Sequence, residues 1–260
     1  MKRKIIYIII VCLVAIFVTS CKKDKSDGNP DFSGICYITD LGISKIIYIS
    51  TNKIRYMINW YGMEDADTLF SFIYNTQGKI GVIDYMLGYS PTERDSLFYD
   101  AAGRVAYIKK YTDGHHEGMA TYHYNDANQI ISLDLSGDMM KKYSISAKLV
   151  SGTVIYEYNA EGNVIKETLT SGGSIVSGLE YEYDNMRNPY REWNLPERLG
   201  NISLSKLMSK NNYVREKYYS SGSTKTTAAY TYNSNGYPST MVITDEDGSE
   251  SYGVQYFCFQ

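Results

Sequence analysis

Two patterns of apolar and polar positions divide the chain. The first is an unbroken apolar run from Ile5 to Val18, preceded by Met1-Lys2-Arg3-Lys4 and ended by Thr19 and Ser20. A charged start, an apolar stretch and small residues at its end have the layout of a secretory signal peptide. The run falls short of the ~20 residues that a spanning helix needs. The second pattern, from residue 35 onward, is alternation. The phrase Phe72-Ile73-Tyr74-Asn75-Thr76-Gln77-Gly78-Lys79-Ile80 recurs as Leu97 to Val105, Tyr122 to Ile130, Tyr156 to Val164, Tyr181 to Pro189 and Tyr230 to Pro238. Its Asn or Asp, at 75, 100, 125, 159, 184 and 233, steps by 25, 25, 34, 25 and 49 residues, and a faded copy at Tyr48 to Ile54 makes seven units.

The phrase has a physical reading. Aromatic, any residue, aromatic places both rings on one face of a strand. Asn or Asp then opens a turn by bonding its own backbone, and Gly or Asn three positions later takes the positive φ that the turn requires. A β-branched residue resumes the next strand. Each unit is a β-hairpin, and hairpins in series predict an all-β antiparallel meander of roughly 14 to 18 strands, curled or closing into a barrel-like sheet. Further turns are expected at Asp113-Gly114, Gly137-Asp138, Gly172-Gly173, Ser221-Gly222 and Asp247-Gly248. The alternation fails near 195–212. There Leu195, Leu199, Ile202, Leu207 and Met208 fit one face of a short helix, with Pro196 near its start and Ser203 a candidate cap. Such a segment either plugs the inside of the sheet or replaces a lost hairpin on its surface.

Composition supports a sheet: 27 of the 260 residues are Tyr, against 7 Phe and 2 Trp, and tyrosine suits a half-buried pleated surface. With 43% apolar residues and 5 Pro, the chain is neither disordered nor collagenous. The signal-like run is followed by Val18-Thr19-Ser20-Cys21, which resembles the bacterial lipobox; the other reading is an ordinary cleaved signal with a chance cysteine. The lipobox resemblance implies that Cys21 is acylated and becomes the first residue of the mature protein, held to the membrane by its lipid. The chain then divides into a signal peptide (1–20), a lipidated N-terminus with a polar tether (21–34) and one hairpin-repeat domain (35–260). Lys22 is not the Asp that retains enterobacterial lipoproteins at the inner membrane, so outer membrane is the expected address, with the leaflet undecided. Loss of residues 1–20 leaves 23 basic against 29 acidic residues, a net charge of −6, which argues against nucleic acid as a partner.

Tyr99-Asp100-Ala101-Ala102-Gly103-Arg104-Val105, followed by Asp113-Gly114 and Tyr122-His123-Tyr124-Asn125, resembles the tyrosine-aspartate (YD) repeat of Rhs and teneurin-type proteins. Large Rhs proteins spiral many such repeats into a shell; seven units are too few for that, and no autoproteolytic core or toxin tail is recognisable. Tyr183-Asp184-Asn185-Met186-Arg187-Asn188-Pro189-Tyr190, together with Leu204 to Asn212, resembles a segment of uncharacterised Bacteroidetes lipoproteins with YD-like hairpins. That family is described as a domain of unknown function with a porin-like fold. The resemblance covers most of 35–260 and implies a fold without implying an activity.

Candidate chemistry is sparse. Cys12 leaves with the signal. Cys36 lies in the first expected strand and Cys258 in the last, so closure of the sheet makes a disulfide geometrically feasible, the alternative being two buried free thiols. His115, His116 and Glu117, with His123, form the one metal-like cluster, for which a solvated hairpin loop is the simpler reading. Asp245-Glu246-Asp247-Gly248-Ser249-Glu250 has part of a calcium loop but lacks its alternate ligands, so a hairpin turn is expected. Carboxylate pairs such as Asp65 and Asp67 are present, with nothing in their spacing that assigns them to glycoside hydrolysis. No nucleophile elbow, P-loop or Rossmann fingerprint occurs. These observations point to a non-enzymatic, lipid-anchored binding or structural module. It needs no cofactor, and a glycan, peptide or envelope protein is its partner; the alternative is an envelope hydrolase acting on glycans. A transmembrane barrel is disfavoured by charges at outward strand positions.

Overall fold

The computed structural model describes residues 35–41, 44–50, 53–59, 67–87, 90–143, 149–199 and 202–259, within the compact unit Phe32–Gln260. Cys21 and the rest of residues 1–34 lie outside the described residues, as does Asp65. Seventeen strands follow one another: β1 (Ile35–Asp40), β2 (Ser44–Ser50), β3 (Lys53–Asn59), β4 (Asp67–Tyr74), β5 (Ile80–Leu87) and β6 (Ser90–Tyr99). Next come β7 (Val105–Thr112), β8 (His115–Tyr124), β9 (Ile130–Gly137), β10 (Ser151–Tyr158), β11 (Val164–Ser171) and β12 (Ser174–Arg187). The last are β13 (Asn211–Tyr218), β14 (Thr224–Tyr232), β15 (Pro238–Asp245), β16 (Gly248–Gly253) and β17 (Gln255–Phe259). Each strand from β2 to β15 pairs antiparallel with the next, as the repeat predicts. β17 follows β16 after the single residue Val254 and pairs with β1 from Ile35↔Phe259 to Asp40↔Gln255. β1 touches β2 through the one pair Asp40↔Lys45, so the meander becomes a nearly closed barrel.

Alternation decides what faces the lumen. On β8, Gly118, Ala120 and Tyr122 are buried, while His123 points outward to Asp134. The inward set around the wall is mostly apolar, with Ile38, Ile54, Ile83, Ile108, Leu133, Val154 and Val164 all essentially inaccessible, and it includes the charged Asp95 and Lys110. The outer wall carries ion pairs, Lys166 with Glu157 at 3.0 Å, Arg215 with Glu182 at 3.1 Å, and Lys217 with the same Glu182, among exposed apolar residues such as Ile73, Ile155 and Val242. A barrel face turned to lipid is an apolar band, in which such ion pairs are destabilising.

Two segments fill the lumen. The turn expected at Gly137-Asp138 is instead the start of a single 3-10 turn, Asp138–Lys142, that carries Met139 and Met140 into the core. Glycines make room for it: a Cβ on Gly118 would lie 2.7 Å from Met139 N, and one on Gly152 would lie 2.5 Å from Thr170 O and 3.1 Å from Met140 Cε. The second is the excursion between β12 and β13, which runs inside the barrel and buries Trp193, Leu195, Leu199, Leu204 and Leu207. Its helix is shorter than the apolar spacing predicts. A 3-10 turn spans Pro189–Trp193, irregular chain follows, and only α1 (Leu204–Met208) is helical, capped by Ser203 Oγ accepting from Lys206 N at 3.3 Å. Pro196 does not begin a helix, and its carbonyl accepts from Tyr122 OH on the wall at 2.7 Å.

The two ends of this plug are tied to each other, and the strand that leaves it is tied to the β10–β11 turn. Asn188 Nδ2 donates to Lys206 O at 2.6 Å and to Ser209 O at 2.8 Å, while its Oδ1 accepts from Tyr190 N. Asn211 exchanges two hydrogen bonds with Asn163, at 2.8 and 3.0 Å. The middle of the plug is held by charge. The Lys142 ammonium contacts both Asp95 and Glu197 and donates to Tyr85 OH at 2.6 Å, all deep in the core. Burial pushes the Glu197 carboxyl up to about 8, with Lys142 drawing it down and Asp95 pushing it up. Asp95 Oδ1 and Glu197 Oε2 are buried without a donor. A proton held on Glu197 would supply a donor between them.

Candidate binding site

The repeated phrase builds one rim of the barrel. In each full turn the Asn or Asp side chain accepts from backbone N–H groups two and four residues on: Gln77 and Lys79 bond Asn75 Oδ1, and Ala127 and Gln129 bond Asn125 Oδ1, all at about 3.0 Å. The residue three positions on takes the left-handed conformation, with φ of 75° at Gly78, 79° at Gly103 and 60° at Asn128. The unit at Asp184 breaks the rule. Arg187 stands in the glycine slot and β12 runs on through it, and the chain there leaves the wall to become the plug.

In the units at 74, 99, 124, 158 and 183 the second tyrosine ties its turn to the preceding unit. Tyr74, Tyr99 and Tyr124 hydroxyls donate to the carbonyls of Ile54, Ile80 and Val105 at 2.7–2.9 Å; Tyr158 and Tyr183 do the same to Ile130 and Val164. Burial pushes Tyr74, Tyr99 and Tyr124 up to about 12, so they remain donors at any working pH. These tyrosines are therefore rungs that fasten repeat to repeat, not free aromatic platforms.

In three successive units the residue after the glycine slot is a cation that points over the next rung. Lys53, Lys79 and Arg104 lie 5.2, 4.9 and 4.5 Å from the ring centres of Tyr74, Tyr99 and Tyr124. Lys79 Nζ donates to Gly103 O at 2.8 Å, and Arg104 donates to Asn128 Oδ1 at 3.0 Å and to Asp100 Oδ2 at 2.8 Å. The Arg104 amide, aided by its guanidinium, holds the Asp100 carboxyl below the usual range. Across the opening the plug contributes Arg191, while Arg187 and Lys210 stand at its two ends. Together these residues border an open cavity of about 1050 Å³ floored by Trp193, Leu195, Pro196, Leu207 and Met208. Its carboxylates are Glu161, exposed on a turn, and Glu192, which accepts from Tyr237 OH at 2.9 Å and faces Arg187 at 3.6 Å.

Other candidates from the sequence are placed as follows. Cys36 and Cys258 are paired across β1–β17 and joined by a disulfide. His115 and His116 open β8, whereas His123 lies seven residues further along the strand, about 23 Å away, and bonds Asp134. They do not converge, and among the described residues no three His, Cys, Asp or Glu side chains gather where a metal would fit. Asp245↔Gly248 closes the β15–β16 hairpin, with Asp247 N bonded to Asp245 Oδ1, so Asp245 to Gly248 forms a turn and Ser249 and Glu250 lie in β16. The loop residues are Glu246 and Asp247, one position earlier than expected. Asp67 begins β4 opposite Asn59. The ring of cations was visible in the repeat as the slot after the glycine but carries no recognised motif.

No family model matches this sequence, and no curated protein is similar to it. Among solved structures, the chain is similar to a porin-like protein from Bacteroides uniformis, with a TM-score of 0.52 and 13% identity over 89% of this chain and 98% of that one. A porin-like protein from Bacteroides vulgatus aligns with a TM-score of 0.41 and 14% identity, over 85% and 98% of the two chains. The Photorhabdus luminescens Tc holotoxin pore aligns over 85% of this chain and 12% of its own, with a TM-score of 0.23 and 15% identity. The first of these shows a shared porin-like fold.

Proposed function

We propose that this is a lipid-anchored envelope protein, held at the outer membrane through Cys21, whose barrel is a non-catalytic binding module with its site at the turn rim. The observation that carries this reading is the cavity above a plugged lumen: a mouth open to solvent, floored by protein, and lined by cations and amides. The lumen behind it is filled by the 138–142 and 188–210 segments, so the porin-like wall is read as a scaffold and not as a channel. The hydrolase alternative would need two working carboxylates in the mouth. Glu192 is already engaged by Tyr237 and Arg187, and the Asp95–Glu197 pair is enclosed by the core. Two measurements test the proposal. Mass spectrometry of the membrane-extracted protein should find an acylated N-terminal Cys21 that is lost, with membrane retention, in Cys21→Ala. Liposomes carrying the protein should show no solute flux, and flux would overturn the binding-module reading in favour of a pore.

A further inference from the structure

Resting on that reading of the mouth, we infer that its ligand is an acidic oligosaccharide, a chain of sugars bearing carboxylate or sulfate groups. The protein as a whole is acidic, yet the cavity gathers Lys53, Lys79, Arg104, Arg187, Arg191 and Lys210 against Glu161 and Glu192. Counting Asp100, which is bonded to Arg104, leaves an excess of three positive charges in one opening. A concentration of one sign of charge within a low-dielectric cleft focuses its field on a ligand of the opposite sign.

The spacing of the charges favours a chain over a single ion. Lys53, Lys79 and Arg104 precede or begin β3, β5 and β7, so neighbours are separated by two strands, roughly 9–10 Å along the rim. A linear ligand with one acidic group per disaccharide presents charge at a comparable interval. Lys79 keeps two ammonium protons beyond its bond to Gly103 O, so it can donate again without breaking the rim. Between the cations stand Asn128, Gln129 and Asn194, whose amides both donate and accept, as sugar hydroxyls require. A cavity of about 1050 Å³ holds several sugar rings. The apolar floor belongs to the plug, with Trp193, Leu195 and Leu207 buried, so little of it is offered to the side chains of a peptide.

Calorimetry on the purified mature protein at about 50 mM salt tests this, with four probes of similar length: a sulfated hexasaccharide, a hexamer of uronic acid, a neutral maltohexaose and oligoglutamate. At least one acidic sugar should bind, weaken as salt rises, and bind about 100-fold more tightly than the neutral sugar and the peptide. Lys53→Ala/Lys210→Ala should weaken it about tenfold or more with an unchanged thermal midpoint, whereas Lys141→Ala, at the exposed residue of the 138–142 turn, should leave it unchanged. Equal binding of the neutral sugar would overturn the acidic assignment while leaving a binding mouth. Equal binding of oligoglutamate would overturn the sugar assignment. Acidic sugars that bind the double variant as tightly as the parent would overturn the location. Failure of all four probes would overturn this inference together with the reading it rests on.

Discussion

Replacing Glu197 by Gln isolates the proton that the core is inferred to hold. In the folded protein the Glu197 carboxyl is pushed up to about 8 from an ordinary 4.5, first by burial and also by Asp95. Below about pH 4.5 the residue is protonated in both folded and unfolded chains, and its contribution to stability is fully present. As pH rises toward 8 the unfolded chain releases the proton and the folded one keeps it, so folding must take up a proton and stability falls. One such proton shifts the folding equilibrium up to tenfold per pH unit, on the order of 1 kcal/mol, with an upper bound of about 5 kcal/mol across the window. Above 8 both states are ionised and the contribution is gone. Gln cannot titrate, and its amide offers a donor where a protonated Glu197 would. The measurement is urea unfolding of parent and Glu197→Gln at pH 5, 6, 7 and 8. The variant should gain on the parent steadily as pH rises, by at least about 2 kcal/mol over the series. Stability curves that stay parallel within about 0.5 kcal/mol would refute the protonated pair.

Three further outcomes are expected. Gly103→Val should lower stability by about 1–3 kcal/mol, because φ is 79° there and a Cβ would meet Lys79 Nζ, while Ala101→Val on the exposed part of the same turn should change it little; equal thermal midpoints would contradict the turn geometry. Tyr99→Phe removes a 2.7 Å hydrogen bond to Ile80 O and should cost about 1 kcal/mol in chemical denaturation, whereas Tyr107→Phe on the outer wall, with no rung bond, should be near neutral. Cys36→Ser/Cys258→Ser, or reduction of the parent, should lower stability by about 2–5 kcal/mol, since the bridge spans 222 residues; an unfolding midpoint insensitive to reductant would show that the pairing of β1 with β17 holds without it.

Much of the wall was legible because its signals are local. Asn75, Gly78 and the ring of Tyr74 sit within five residues of one another, and the turn chemistry that links them repeats closely enough to be counted. The excursion was legible as a break in pattern, but not as a plug, since Leu199 and Leu207 look alike whether they face a lumen or a surface pocket. Gly137-Asp138 misled because the same dipeptide that makes a hairpin can send the chain inward when Gly118 and Gly152 leave space opposite. The core ion cluster was invisible in advance. Asp95, Lys142 and Glu197 are about fifty residues apart, and only barrel closure brings them together. The cations of the mouth occupied a visible slot, yet their convergence with Arg191 and Lys210 depends on where the plug emerges.

The joint between β1 and β17 has a consequence for how the chain reaches this state. Every other pairing joins neighbours in sequence, apart from the excursion between β12 and β13, so it forms with little loss of loop entropy. Pairing Ile35 with Phe259 must instead bring together nearly the whole length of the unit. The sheet can thus grow hairpin by hairpin around the 188–210 segment, with the joint closing late. That order makes the terminal strands the least protected edges during synthesis and refolding, and the place where one molecule can pair with another.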